Sequence, residues 1–212
     1  MVPVVSFIGR PDSGKSTLIE KLLPELQLRG FCAGVIKHTS HDVPLDTPGK
    51  DTARFTAAGA PAAALVTPRG LALFRPAAGA QDLETVAEEY FTSFDIVLAE
   101  GFKEQDRPKI EVLAAGAAPN PAILGKIALV ADGPVASALP VFSHADITAL
   151  ADFLEKEFIS KGSRSEVKLW VNGEFIPLKP FVKAFVGQTV KGMVNALKGA
   201  RQPEKIRIKI GR

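Results

Sequence analysis

One cysteine, Cys32, is all the thiol chemistry that this 212-residue chain possesses. A single thiol excludes an internal disulfide and any zinc site built on several thiolates, so Cys32 reads as a small buried residue. Apolar runs of the roughly 18 to 20 residues needed to cross a bilayer are also missing, and no transmembrane helix is expected. Ahead of its first apolar run the chain has no basic segment, and after it no small-residue cleavage site. That start reads as a first strand rather than a signal peptide, and a cytoplasmic protein is expected. What is present, 46% hydrophobic and 23% charged residues, suits a soluble globular protein and is too apolar for general disorder. The length suits one sizeable domain with a small appendage and is too short for two full domains.

The net charge of +3 hides an asymmetry. Residues 1–160 carry 14 basic against 20 acidic side chains, and residues 161–212 carry 12 against 3. The tail is therefore a compositionally separate unit. Three regions are expected: a nucleotide-binding domain over 1–160, a polar linker over 161–166, and a basic module over 167–212.

Within the first region, residues 2–8 form a β-branched and aromatic run that reads as a fully buried strand of a parallel sheet. Leu18, Leu22, Leu23 and Leu26 mark one face of a helix over 15–28, which Arg29 and Gly30 stop. Further strands are expected at 32–37, 62–66, 95–99, 109–113 and 127–130, with 71–74 as a hairpin partner at an edge and helices at 51–58 and 83–91. Strands alternating with helices at this spacing predict an α/β fold with a mostly parallel sheet flanked by helices. Ligands in such sheets sit beyond the carboxyl ends of the strands. In the tail, Val167, Leu169 and Val171 alternate with polar or amphipathic residues before the turn pair Asn172 and Gly173. A helical period over 181–197 includes Phe185, and Ile206, Ile208 and Ile210 alternate with basic residues. Together these predict a ββαβ module whose helix covers one sheet face.

Between the first strand and the first helix lie Gly9, Arg10, Pro11, Asp12, Ser13, Gly14, Lys15, Ser16 and Thr17. They match G-x-x-x-x-G-K-[ST] at every fixed position and in the required strand–loop–helix context, which a chance glycine-containing turn would lack. Without side chains at Gly9 and Gly14, backbone N–H groups can wrap phosphates at a positive helix N-terminus. Lys15 can then reach the β- and γ-phosphates, and the Ser16 hydroxyl can ligate Mg²⁺. The acidic partner such a site needs is expected at the end of a neighbouring strand. Asp95 begins the 95–99 strand and belongs at the far edge, whereas Glu100 ends it and can face the nucleotide, as an outer-sphere Mg²⁺ partner or to orient water. A capping or solvated carboxylate is the plainer alternative for Glu100.

After the second strand come Lys37, His38, His41 and Asp42, then Asp46, Gly49 and Lys50. Zinc wants three or four ligands with a defined second shell, so this polar loop reads better as a switch segment touching the γ-phosphate and metal. An ordinary solvated loop remains the alternative. Asp132, after the 127–130 strand, can accept hydrogen bonds from a guanine edge, although no Asn–Lys pair stands beside it.

These motifs, with Ala58-Gly59-Ala60, Glu100-Gly101-Phe102-Lys103 and Pro108-Lys109-Ile110-Glu111, together resemble the molybdopterin-guanine dinucleotide biosynthesis protein B (MobB) family. The resemblance spans most of residues 1–158. It implies GTP binding with slow hydrolysis in molybdenum-cofactor biosynthesis, assistance to the guanylyltransferase that attaches GMP to molybdopterin, and a homodimer. Molybdopterin itself as a ligand and contacts with molybdoenzymes or molybdopterin-carrying proteins also follow from it, as does the guanine preference. Where the family often has a basic residue after the Pro-Lys-Ile-Glu-Val segment, this chain has Leu113, Ala114 and Ala115.

On the resemblance, Lys15, Glu100 and Asp42 carry catalysis, and Ser16 and Glu100 serve the metal. Nucleotide contacts are expected from the loop residues named above and from Lys37, His38, Asp46, Lys50 and Asp132. Two other functions remain open. A small-molecule kinase would need an arginine-rich lid, for which only Arg54, Arg69, Arg75 and Arg107 are spread through plausible loops. A non-enzymatic, nucleotide-gated module would grip an acidic partner through the basic tail. Nucleic acid is not expected there, because aromatic residues for stacking are few. An anionic pterin phosphate or an acidic protein surface fits equally well, as does a merely solvated basic face.

Overall fold

The computed structural model describes residues 2–41, 43–76, 79, 81–160, 167, 169–171, 174–176, 178, 180–197 and 206. Its centre is a six-stranded sheet built from β1 (Val4–Ile8), β2 (Ala33–Lys37), β5 (Ile96–Glu100), β6 (Lys109–Val112), β7 (Lys126–Val130) and β8 (Val141–Phe142). The strand order is β2-β5-β1-β6-β7-β8 and every pairing is parallel. Parallel strands joined by crossovers are covered on both faces, which is why the sequence reads as continuous apolar runs. Side chains alternate across the pleat. Ile96 and Leu98 therefore point to a core shared with Val5, Phe7, Ile110 and Val130, while Val97 and Ala99 point to a second core with Val2 and Ile36.

The first core is closed by α1 (Lys15–Leu28) and α4 (Ile147–Leu154), which supply the fully buried Leu18, Leu22, Leu26, Leu150 and Leu154. A π-helical turn, Glu155–Ile159, continues α4. The second core is closed by α3 (Leu83–Tyr90) through Leu83 and Ala87, and Asp82 caps that helix by accepting from the N–H groups of Glu84 and Thr85. Pro24 lies inside α1, on its exposed face, where water can serve the carbonyl that the missing N–H leaves behind.

Arg29 ties the end of α1 to α4: its guanidinium reaches Glu25 at 2.8 Å, Asp152 at 2.5 Å and Glu155 at 3.3 Å, and it donates to the Thr148 carbonyl at 3.0 Å. Burial opposes the charge, but the hydrogen bonds to Asp152 and Glu25 outweigh it and hold the group above its ordinary value. Arg29→Met keeps the stem and removes the donors. It is expected to cost about 1 to 2 kcal/mol, since Asp152 and Glu155 are solvated enough to be rescued by water. Urea unfolding measures that loss.

The expected place of the 62–66 strand is corrected. Residues 62–66 do not enter the main sheet: β3 (Ala63–Thr67) and β4 (Gly70–Phe74) pair antiparallel as a separate ribbon. The two residues between them, Pro68 and Arg69, can make a hairpin turn, whereas a parallel crossover needs a dozen or more. β8 and α4 are elements that the strand and helix periods had not indicated. β8 has only two residues, too few to show a period.

In the tail, β9 (Leu169–Val171) and β10 (Glu174–Ile176) form the expected antiparallel hairpin, with Trp170 opposite Phe175. The expected helix is α5 (Pro180–Asn195). Phe185, expected in the core of the module, is 63% exposed and stacks on the still more exposed Phe181. The linker 161–166 lies outside the described residues. So does the last strand apart from Ile206, which belongs to no strand. Among the described residues no helix is long and apolar enough to cross a membrane.

Candidate functional site

The carboxyl ends of the parallel strands set out the site, because register fixes which residues emerge side by side. Phe7 on β1 pairs with Glu100 on β5, and Glu100 pairs with Lys37 on β2. On the other flank Ile8 pairs with Glu111 on β6. Gly9, His38, Gly101 and Leu113 therefore leave the sheet along one edge, as do Ala131 and Ser143 after β7 and β8.

The loop from Gly9 to Gly14 turns from β1 into α1. Asp12 has φ 57°, a left-handed conformation that Asp tolerates better than most residues. Gly14, with φ 87°, is the N-cap of α1, and no side chain caps that end. Its first turn leaves backbone N–H groups without intrahelical acceptors, and Ser16 and Thr17 are exposed beside them. The Lys15 ammonium lies over the loop, 2.7 Å from the Arg10 carbonyl oxygen, 3.3 Å from that of Gly9 and 3.4 Å from Ser13 Oγ. Ser13 itself is buried.

Ser16 and Glu100, 84 positions apart in sequence, meet. The Ser16 hydroxyl lies 3.0 and 2.9 Å from the two carboxylate oxygens of Glu100. Lys37 Nζ is 3.4 Å from the same carboxylate, although the lysine side chain is 64% exposed and the pair is worth little by itself. The Glu100 carbonyl accepts from the N–H of His38 at 2.9 Å, and the His38 ring packs on Phe102 with centroids 4.8 Å apart. Phe102 is held at φ 57° just after Gly101. Asp95 stands at the opposite edge, where its Oδ2 accepts from the Cys32 N–H at 2.7 Å.

The structure thus brings together the loop, Ser16, Glu100, Lys37 and His38. Asp46 and Lys50 are not joined to this group. Asp46 Oδ1 accepts from the Thr47 N–H at 2.7 Å, its Oδ2 is buried without a hydrogen-bond partner among the described residues, and Lys50 caps α2 (Asp51–Ala57). Neither makes a hydrogen bond or ion pair to the loop among the described residues. Asp42 lies outside the described residues. Asp132 Oδ1 accepts from the His144 N–H at 3.0 Å, and its Oδ2 lies 3.1 Å from Nδ1 of the His144 ring. That backbone hydrogen bond, with the nearby ring, holds the Asp132 carboxyl below its ordinary value. His144 is a site neighbour that the motifs did not indicate. Its signal was positional, a polar residue just beyond a strand end at the carboxyl edge.

A glycine-lined loop leading into a helix, a lysine above it, and a serine facing a carboxylate are groups that could hold a phosphate chain with a hard cation. The family profile described as "MobB: Molybdopterin guanine dinucleotide synthesis protein B" matches residues 4–132, which include the loop, α1, Lys15, Ser16 and Glu100. This chain belongs to the MobB family.

Among MobB proteins, the molybdopterin-guanine dinucleotide biosynthesis adapter protein of Escherichia coli is 35% identical over 161 residues, covering 73% of this chain and 92% of that protein. A putative adapter protein of the same description from Methanocaldococcus jannaschii is 29% identical across 98% of this chain and 97% of its own length. The crystal structure of Bacillus subtilis MobB superposes with a TM-score of 0.57 at 29% identity, covering 74% of this chain and 98% of that one. The MobB profile ends at Asp132, so the basic tail lies beyond it.

Proposed function

We propose that this MobB protein binds GTP with Mg²⁺ at the loop from Gly9 to Thr17, hydrolyses it slowly, and acts as an adapter to the guanylyltransferase of molybdopterin guanine dinucleotide synthesis. The observation that carries the reading is the meeting of Ser16 and Glu100 at the mouth of the phosphate loop. All-oxygen donors of this kind suit Mg²⁺, which keeps several waters and uses one or two protein oxygens beside phosphate. Mg²⁺, when bound, supplies charge neutralisation on the phosphates. The chain's own residues do the positioning. Backbone N–H groups and Lys15 bind the β- and γ-phosphates, Ser16 and Glu100 hold the metal, and Glu100 with the 38–51 segment orients water. The adapter role and the molybdopterin-guanine dinucleotide pathway are those by which the relatives are named, and GTP and the guanylyltransferase follow from the family resemblance.

The arginines favour hydrolysis over kinase chemistry. Arg54, Arg75 and Arg107 are paired with Asp51, Glu89 and Glu84, and so do not converge on the loop as a water-excluding lid would require. Labelled GTP tests this directly: inorganic phosphate with no phosphorylated acceptor is expected, and a phosphorylated small molecule would replace the reading with the kinase one. A homodimer is part of the proposal. The β3–β4 ribbon, on which Leu65, Val66, Leu71 and Leu73 are exposed, offers apolar surface for it.

Glu100→Gln keeps the hydrogen bond to Ser16 and removes the charge. It is expected to weaken GTP binding roughly 10-fold in Mg²⁺ while changing Mg²⁺-free binding less than about 2-fold. Calorimetry with and without the metal reads the difference; equal losses would place Glu100 outside the metal site.

A further inference from the structure

We infer that His144 is a positioning residue for the phosphate loop, braced by Asp132 so that it sets the Ser13–Gly14 peptide. The inference rests on the nucleotide-binding reading above. His144 Nε2 lies 3.1 Å from the Ser13 carbonyl oxygen, which can only accept, so the nitrogen facing it carries the hydrogen. On the far side Asp132 Oδ1 takes the His144 backbone N–H, and Oδ2 lies 3.1 Å from Nδ1, a contact that attracts only when Nδ1 also carries a hydrogen. The backbone hydrogen bond anchors the residue that carries the ring.

The ring also lies against Gly14. A Cβ built there would stand 3.3 Å from both Cδ2 and Nε2 of His144. Glycine is thus favoured at this position by its φ of 87° and by the closeness of this ring.

The consequence follows from the peptide unit. It is planar and trans, so the Ser13 carbonyl and the Gly14 N–H point in opposite directions. Tying the carbonyl to His144 turns the Gly14 N–H away from the ring, to the side opposite. Gly14 is the N-cap of α1, so its N–H has no intrahelical acceptor and can serve an anion at the positive end of the helix. His144 and Asp132 come from the ends of β8 and β7, so the far flank of the sheet sets the geometry of the loop at its centre. Pre-set donors bind a phosphate without having to be ordered first.

The test uses the full chain with GTP or GDP and Mg²⁺. His144→Ala is expected to weaken both nucleotides roughly 5- to 10-fold, and His144→Gln, whose amide nitrogen can donate where Nε2 does, to bind within about 2-fold of the wild type. In the NMR spectrum the Gly14 amide proton is expected to move downfield on adding GDP, and to move less in His144→Ala. Wild-type affinity in a folded His144→Ala protein would overturn the inference. So would equal weakening in His144→Gln, or a Gly14 amide that does not respond to GDP in the wild type. Lys15→Ala run in parallel separates the two levels. If Lys15→Ala weakens GTP binding and His144→Ala does not, only the role of His144 falls; if the wild type binds no GTP, the nucleotide reading fails and takes this inference with it.

Discussion

Lys15→Ala is expected to weaken GTP binding by roughly 100-fold or more, the largest binding effect of any single substitution in this chain. An ammonium that donates to two phosphate groups makes charge-assisted hydrogen bonds, each worth about 1.5 to 3 kcal/mol, and about 3 kcal/mol is already a factor of roughly 100. Lys15 is positioned for this by being the first residue of α1, with its stem rising over the loop to within 2.7 Å of the Arg10 carbonyl oxygen. No acidic side chain holds Lys15 among the described residues, so its loss leaves no buried charge behind. Melting temperature should therefore change little while affinity collapses. Lys15→Arg is not a conservative control, because a planar fork does not replace a compact ammonium in a tight loop. Titration calorimetry decides the matter, and an affinity within about 3-fold of the wild type would remove the triphosphate assignment.

The elements that place this site were legible because their signals were local or periodic. The buried run of β1, the Gly9 to Ser16 pattern and the leucine face of α1 follow one another within 28 residues. The structure has them as a strand that begins at Val4 rather than at Val2, a loop, and a helix with the expected bounds. Glu100 was legible as a strand-end carboxylate, and it does reach Ser16. What was not legible depends on long-range placement. Whether 63–67 joined the parallel sheet or a ribbon was decided by a two-residue connection rather than by its own apolar residues, which suit either. Asp132 was singled out, but its partner His144 was not, since a two-residue β8 leaves no period by which to place the loop that follows. Phe185 fits an amphipathic helical period, yet period alone does not say what a helix face packs against, and that ring is exposed.

Gly9→Ala is expected to produce the largest loss of stability, about 2 to 6 kcal/mol, by two mechanisms that add. Gly9 has φ +151°, where a side chain is strained, and such conformations cost on the order of 1 to 3 kcal/mol for other residues. The space is also taken. A Cβ at Gly9 would lie 2.2 Å from the Val112 carbonyl oxygen and 2.8 Å from Ser13 Oγ. The Ser13 hydroxyl can rotate, but Val112 is the last residue of β6, which is paired to β1 on one side and β7 on the other. Relief requires moving a central strand of the sheet, which adds roughly 1 to 3 kcal/mol. At about 2 to 4 °C per kcal/mol for a protein of this size, the melting temperature should fall by roughly 10 °C. The contrast with Lys15→Ala separates two requirements on one motif. The lysine serves the ligand and its loss spares the fold, whereas the first glycine lets β1 leave the sheet beside β6 and its loss is felt without any nucleotide. A Gly9→Ala protein that melts within about 2 °C of the wild type would show that the β1–β6 edge yields more readily than a paired parallel strand should.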